Sequence, residues 1–153
     1  MSGLHGLRPA TSIDGATLAH AVFMQVAVPP DGPQPMRVVL VYDIADPYAV
    51  RAEFHIAPGV RVPWVFARQL MSEGLKEPTG DGDVRISPSG VGRDRRVHIT
   101  LMSQDCSADV QAAEADITRF LRESYSLCRP GEEHRHLDVG GGLRALLATD
   151  AQG

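Results

Sequence analysis

Lysine is almost missing from this chain of 153 residues: Lys76 stands alone beside 14 arginines. Aromatic residues are sparse too, one Trp, three Tyr and four Phe. Proteins that live on phosphate backbones carry a basic stripe, and single-strand binders add stacking aromatics. With a net charge of −4 the overall balance opposes that class, and nucleic acid stays an alternative reading only. No apolar run approaches the roughly 20 residues of a membrane helix, so membrane insertion is not expected. The first fifteen residues hold no apolar stretch of secretory length, and the expected location is the cytoplasm. Only two cysteines occur, Cys106 and Cys128. On one continuous helix they would stand about 33 Å apart at about 1.5 Å per residue, beyond the reach of a disulfide. Two free thiols suit a reducing compartment.

What is present is the composition of a globular domain: 43% apolar and 22% charged residues. At this length one core is expected, so residues 1–153 read as a single domain. Residues 1–15 are expected to be a flexible leader, and 140–153, which begin with three glycines, a weakly ordered tail. Residues 17–28, "TLAHAVFMQVAV", read as a strand, stopped by the proline-rich loop 29–35. "MRVVLVYDI" (36–44) and "YAVRAEFHI" (48–56) flank the turn residues "ADP" and read as a hairpin. "VRVPW" (60–64) is a short strand whose Pro63 suits a sheet edge. "WVFARQLMSEGL" shifts to a spacing of four and reads as a helix ended by Gly74. After the loop 77–83, "VRISP" (84–88) and "RRVHITLM" (95–102) form a second hairpin. From Ser107 to Cys128, Val110, Ala113, Ile117, Phe120 or Leu121, and Ser124 recur at helical spacing. One long helix is expected there, capped by Ser107 and favoured by Asp109 at its positive end. "RPGEE" ends it, and "LRALLATD" is a candidate short helix in the tail. The fold class is α+β: a curved, mostly antiparallel sheet of two hairpins plus an N-terminal strand, backed by one long C-terminal helix.

The richest chemistry lies in "GEEHRHLDVGGG", 131–142. His134 and His136 would share one side of an extended segment, but zinc needs three or four ligands and no paired ligand spacing occurs elsewhere. Glu132 and Glu133 are adjacent, and neighbouring carboxylates diverge where acid/base work needs both on one substrate. The glycines lack the GxxxxGK[ST] pattern of a phosphate loop. "GDGD" (80–83) lacks the remaining ligands of a calcium loop and reads as a turn. Cys106 beside a helix start would have a lowered thiol pKa, but no histidine neighbours it. Nucleophile elbows of the GxSxG type are absent. No catalytic residue, metal site or cofactor is therefore assigned, and the "EEHRH" stretch reads as a hydrogen-bonded turn tying the long helix to the tail.

Two surfaces are candidates for binding. Val39 and Val41 make the outer side of the 36–44 strand apolar, which marks an interaction patch if it is exposed. Trp64 and Phe66 are either core or a partner anchor, and join Val39 and Val41 as the candidate oligomer or partner surface. Arg85, Arg93, Arg95 and Arg96 form the basic cluster, the candidate nucleic-acid patch under the alternative reading.

Taken together, "DPYAV" (46–50), "WVFAR" (64–68), "GL" (74–75) with "PTGDGDV" (78–84), and "EHRHLD" (133–138) resemble the SsgA-like proteins of actinomycetes, in order and spacing, from about Val41 to Asp138. The resemblance implies a whirly-like fold similar to single-strand nucleic-acid-binding sheets. It implies a cell-division adaptor of sporulation-associated septation, without catalysis and without cofactor, recruited to the septum. The implied partners are further copies of the chain, with a trimer favoured, and division proteins such as FtsZ or a related SsgA-like protein.

Overall fold

The computed structural model describes residues 11–13 and 17–137. Eight strands make one antiparallel sheet: β1 (Thr11–Ile13), β2 (Thr17–Ala27), β3 (Gln34–Asp43), β4 (Ala49–Ala57), β5 (Val60–Ala67), β6 (Val84–Ser89), β7 (Arg96–Met102) and β8 (Ser107–Ala113). The strand order is β5-β4-β3-β2-β8-β7-β6, with β1 added to β2. Two meanders, β2 to β5 and β6 to β8, meet only where Gln25–Ala27 pairs with Asp109–Gln111. The sheet curls, and its inner side carries two helices, α1 (Arg68–Gly74) and α2 (Glu114–Leu127).

Alternation explains the strands. In β2 Leu18, His20, Val22, Met24 and Val26 are buried while Phe23 and Gln25 are exposed, the period of two that sends alternate side chains to opposite faces. Val38, Leu40 and Tyr42 of β3 and Val50, Ala52 and Phe54 of β4 continue that inner layer. Helix α2 adds Ile117, Phe120, Leu121 and Ser124 at helical spacing. Each large apolar side chain buried there contributes about 1.5–3 kcal/mol. Pro63 lies on β5, the edge strand, where its missing N–H costs no ladder bond. At the other edge Thr79 exchanges two backbone hydrogen bonds with Ile86, 2.8 and 2.9 Å, and partly covers β6.

Two expectations need correction. The helix anticipated over 107–128 begins only at Glu114. Ser107–Ala113 is β8, paired with β7 along its whole length. Val110 and Ala112 are its buried residues, a period of two that the spacing from Val110 to Ala113 disguised. Ser107 therefore caps nothing, and Asp109 faces His98 at 3.1 Å instead of a helix start. Cys106 precedes a strand and not a helix start. Both cysteines are free, Cys106 exposed and Cys128 buried. Second, Trp64–Ala67 belongs to β5, and α1 starts at Arg68. The expected end at Gly74 holds, since it is the last residue of α1; it is also needed for space, because a Cβ there would stand 2.5 Å from Ile86 Cβ.

Within the leader expected over 1–15, Thr11–Ile13 pairs with Leu18–His20. The remainder of that segment, the glycines 140–142 and the candidate helix "LRALLATD" lie outside the described residues. No helix among the described residues is long and apolar enough to cross a membrane.

Candidate functional site

The chain leaves β5 without a loop. Ala67 is still extended, and the backbone N–H of Arg68 donates to the carbonyl of Tyr48 at 2.8 Å, so the first residue of α1 is anchored to the start of β4. Its guanidinium points into the molecule and is 2% exposed. Nη1 donates to the Cys128 carbonyl at 2.8 Å, to Ser124 Oγ at 3.2 Å and to the Ser124 carbonyl at 3.3 Å. These carbonyls end α2, whose last turn carries no basic residue. A helix C-terminus presents unpaired carbonyls and a partial negative charge; Arg68 supplies the cation from another helix.

Nη2 donates to Glu133 Oε2 at 2.9 Å. Glu133 is brought back by the turn at "RPGE", where Gly131 adopts φ +88°, a left-handed conformation that favours glycine. The Gly131 N–H then donates to Glu133 Oε1 at 2.8 Å. Burial by itself would raise the Glu133 carboxyl; the Arg68 hydrogen bond, the backbone N–H bonds and the Arg68 charge outweigh it and hold the acid below its usual range. The guanidinium also lies 4.6 Å from the Tyr42 ring centre and 5.0 Å from that of Tyr125, within cation–π range. Tyr42 donates to the Pro47 carbonyl at 2.9 Å. Burial, then the Cys128 side chain, raise its pKa against the pull of Arg68, so the phenol stays a neutral donor.

The short motifs are thus joints. Pro47 and Tyr48 of "DPYAV", Arg68 of "WVFAR" and Glu133 of "EHRHLD" meet in one cluster, while Gly74 and Thr79 both close on Ile86. Sequence reasoning singled out none of Arg68, Glu133, Tyr42, Ser124 and Tyr125 as site residues. The available signal was Arg68 itself, the one charge in the mostly apolar run "WVFARQLM". His134 and His136 sit in a 3-10 turn, Glu133–His136, where residues two apart do not share a side. The pairing expected for an extended segment is lost. No group of three metal-ligating side chains occurs among the described residues.

The candidate partner surface divides. Phe66 is 8% exposed and Trp64 is half-buried, both packed on the core side of β5; their register partners on β4, Val50 and Ala52, are buried and turn them inward. Val39 and Val41 do lie on the outer face, but Val41 is only 6% exposed, beneath a shallow cleft it shares with Arg51 and Val65. Exposed apolar residues of that face are Phe23, Val65 and, at the end of β7, Met102, which the sequence reading did not single out. The basic cluster divides as well. Arg85 and Arg96 are on the outer face, at Thr100 and at the start of β7. Arg93 and Arg95 lie at the hairpin connection and line a cleft of about 560 Å³ with Arg119 and Arg122 of α2. Arg95 is bound there to Glu114 at 2.9 Å.

This architecture has known counterparts. The family model described as "Streptomyces sporulation and cell division protein, SsgA" matches residues 36–133, a span that ends on the carboxylate holding Arg68. The chain belongs to the SsgA family. The sporulation-specific cell division protein SsgB of Thermobifida fusca is 39% identical over 137 residues, covering 90% of this chain and 99% of the relative. SsgB of Salinispora tropica is 44% identical over 116 residues, 74% of this chain and 81% of the relative. Two solved structures share the fold. An SsgA-like sporulation-specific cell division protein from Thermobifida fusca has a TM-score of 0.77 at 37% identity, covering 88% of this chain and 98% of that one. A structure concerned with SsgB mutations that correlate with longitudinal cell division during sporulation of Streptomyces coelicolor has a TM-score of 0.73 at 38% identity, covering 83% and 97%. SsgA-family membership places the chain among proteins of sporulation-associated cell division.

Proposed function

We propose that this chain is a cytoplasmic, non-catalytic adaptor of septation, recruited to the division septum. It helps to place the division machinery, FtsZ included, and septal peptidoglycan synthesis through protein–protein contacts. The observation that carries this reading is how the motif residues are used: Arg68, Glu133, Tyr42 and Ser124 satisfy one another inside the molecule. Their chemistry holds joints together, and the outer surfaces remain for partners. The assembly is a homo-oligomer, with a trimer favoured. Its contact is the outer sheet face, where Phe23 and Val65 are 53% and 59% exposed above Val39 and Val41.

The test has two parts. A pull-down from sporulating cells of the host, with the full chain as bait, recovers septal proteins; recovery of a metabolic complex or of nucleic acid instead argues against the adaptor. Light scattering on Phe23→Glu and Val65→Glu chains gives a smaller particle than the wild type, and an unchanged mass removes that face as the subunit contact. Nucleic-acid binding, the other reading, has less support because its four arginines occupy two separate regions of the molecule.

A further inference from the structure

Three clefts lie end to end along the solvent side of α2. The first, of about 560 Å³, shares Thr118 and Arg122 with the second, of about 320 Å³. The second shares Ser72, Lys76 and Tyr125 with the third, of about 440 Å³, which ends at Tyr48 and Glu133. The result is one groove, walled by α1 at one end and by the Gly92–Arg95 connection at the other. Fourteen helical residues at about 1.5 Å each span about 21 Å, the length of about six residues of extended peptide.

Its charges are unevenly used. The carboxylates have partners inside the molecule: Glu114 binds Arg95, Glu133 binds Arg68, Glu123 faces His20 at 3.5 Å, and Glu73 accepts from Gln69. Arg93, Arg119, Arg122 and Lys76 are exposed, and among the described residues none of the four has an ion pair. Against these four cations stand Glu73, whose amide partner leaves its charge in place, and Glu123, which has no lysine or arginine partner among the described residues, so in a chain of net charge −4 the groove keeps a local surplus of cation. Leu75 and Tyr125, both half-buried, lie between and beyond them over the buried Leu121. From this geometry we infer that the α2 groove docks an acidic peptide segment of a partner protein, one that also carries an apolar side chain for the Leu75 and Tyr125 stretch. The inference rests on the adaptor reading and names the chemistry of one partner. Arginine forks bind carboxylates with two parallel hydrogen bonds, so Arg119 and Arg122 are the specificity residues. A nucleic-acid strand fits less well, because a continuous phosphate chain would pass Glu114 and Glu123, and aromatic stacking is offered only at the Tyr125 end. A peptide can place its acids opposite the arginines alone.

The experiment pans a phage-displayed random peptide library against the full-length chain and against its Arg119→Glu, Arg122→Glu double variant, both checked by thermal unfolding. Peptides enriched on the wild type are acidic with an apolar residue. Fluorescein-labelled copies of them bind with an affinity that falls as salt rises and drops at least tenfold in the double variant. Enrichment without acidic bias, equal binding by the double variant, or displacement of the peptide by a lower concentration of single-stranded oligo-dT each overturns the inference. Complementation of a deletion strain separates this failure from that of the adaptor reading. If both the wild-type and the double-variant genes restore septation, the groove is not the docking site and the septation role stands. If the deletion leaves septation intact, the septation role itself falls. Restoration by the wild type alone, with peptide binding lost in the variant, is the expected result.

Discussion

Arg68 and Arg122 lie on the two helices of one face, yet the molecule uses them in opposite ways. The first is 2% exposed and fully engaged, with two carbonyls, a hydroxyl, a carboxylate and two aromatic rings around it. The second stands in an open groove with no ion pair among the described residues. Removing an ion from water costs several kcal/mol, which only good geometry and further hydrogen bonds repay. At Arg68 they are supplied from residues 56 to 65 positions away. At Arg122 no desolvation occurs, so its charge remains available. An arginine's role here is decided by what the rest of the chain returns to it.

The comparison breaks most severely at Arg68. Arg68→Ala removes the donor of Glu133 Oε2 and of the Cys128 carbonyl, leaving a buried charge without its counter-ion, and is expected to cost about 3–5 kcal/mol, read as a lowered urea midpoint. A cycle of Arg68→Met, Glu133→Gln and the double variant sharpens it: a neutral amide facing a methionine no longer leaves a buried charge unpaired, so the double variant is more stable than the sum of the singles predicts. Strict additivity would mean that the two side chains do not act as a pair.

Next in size is Gly74→Ala, at the last residue of α1, where the helix packs against β6. The added Cβ meets Ile86, 2.5 Å from its Cβ, and overpacking of this kind costs about 1–3 kcal/mol. Gly82→Ala, with open space around it, is the control and leaves thermal stability unchanged or slightly raised. A loss equal in both would assign the effect to the glycine-to-alanine change as such and not to the α1–β6 contact.

How much of this was legible follows from the same two regions. The hairpins were readable because alternation in 48–56 and 95–102 is local, and the basic character of "GRDRR" was readable because charge is local. The helix over 107–128 was misjudged because Val110 and Ile117 satisfy a helical spacing and a strand-then-helix path equally well. Only the β7 ladder, a non-local pairing, decides between them. The role of Glu133 was hidden for a similar reason. Its partner is 65 residues away, and nothing in "GEEHRH" distinguishes it from Glu132, which pairs locally with Arg135 at 2.9 Å. The groove was invisible for the converse reason: Arg119 and Arg122 are ordinary exposed helix residues until the Gly92–Arg95 connection is placed opposite them.

A smaller effect, confined to acid, comes from the depressed Glu133 carboxyl. A carboxylate with a folded pKa below its unfolded value contributes stability that is complete above the unfolded pKa, about 4.3 for glutamate. That contribution is lost as pH falls through the folded value. Wild-type stability is thus expected to decline below about pH 4 more steeply than that of Glu133→Gln, and the two profiles converge in acid. Parallel profiles would remove the Arg68–Glu133 bond as the source of the shift.

The smallest expected effect lies in the groove and tests the contrast from its other side. Arg95 and Glu114 meet at 2.9 Å, the same distance as Arg68 and Glu133, but with side chains 48% and 26% exposed against 2% and 15%. Equal distance does not mean equal energy. Water screens the exposed pair, and holding two long side chains in one geometry costs entropy, so exposed pairs contribute about 0–1 kcal/mol. Arg95→Ala is expected in that range, and Arg119→Ala, with no ion pair to lose, within about 0.5 kcal/mol of wild type. Raising the salt concentration should erase the Arg95 effect and leave that of Arg68 nearly whole, since buried pairs are screened far less. If Arg95→Ala instead cost as much as Arg68→Ala, burial would not be what separates the two arginine sites. The groove would then have to be counted as part of the folding core, and its charges would not be available to a partner.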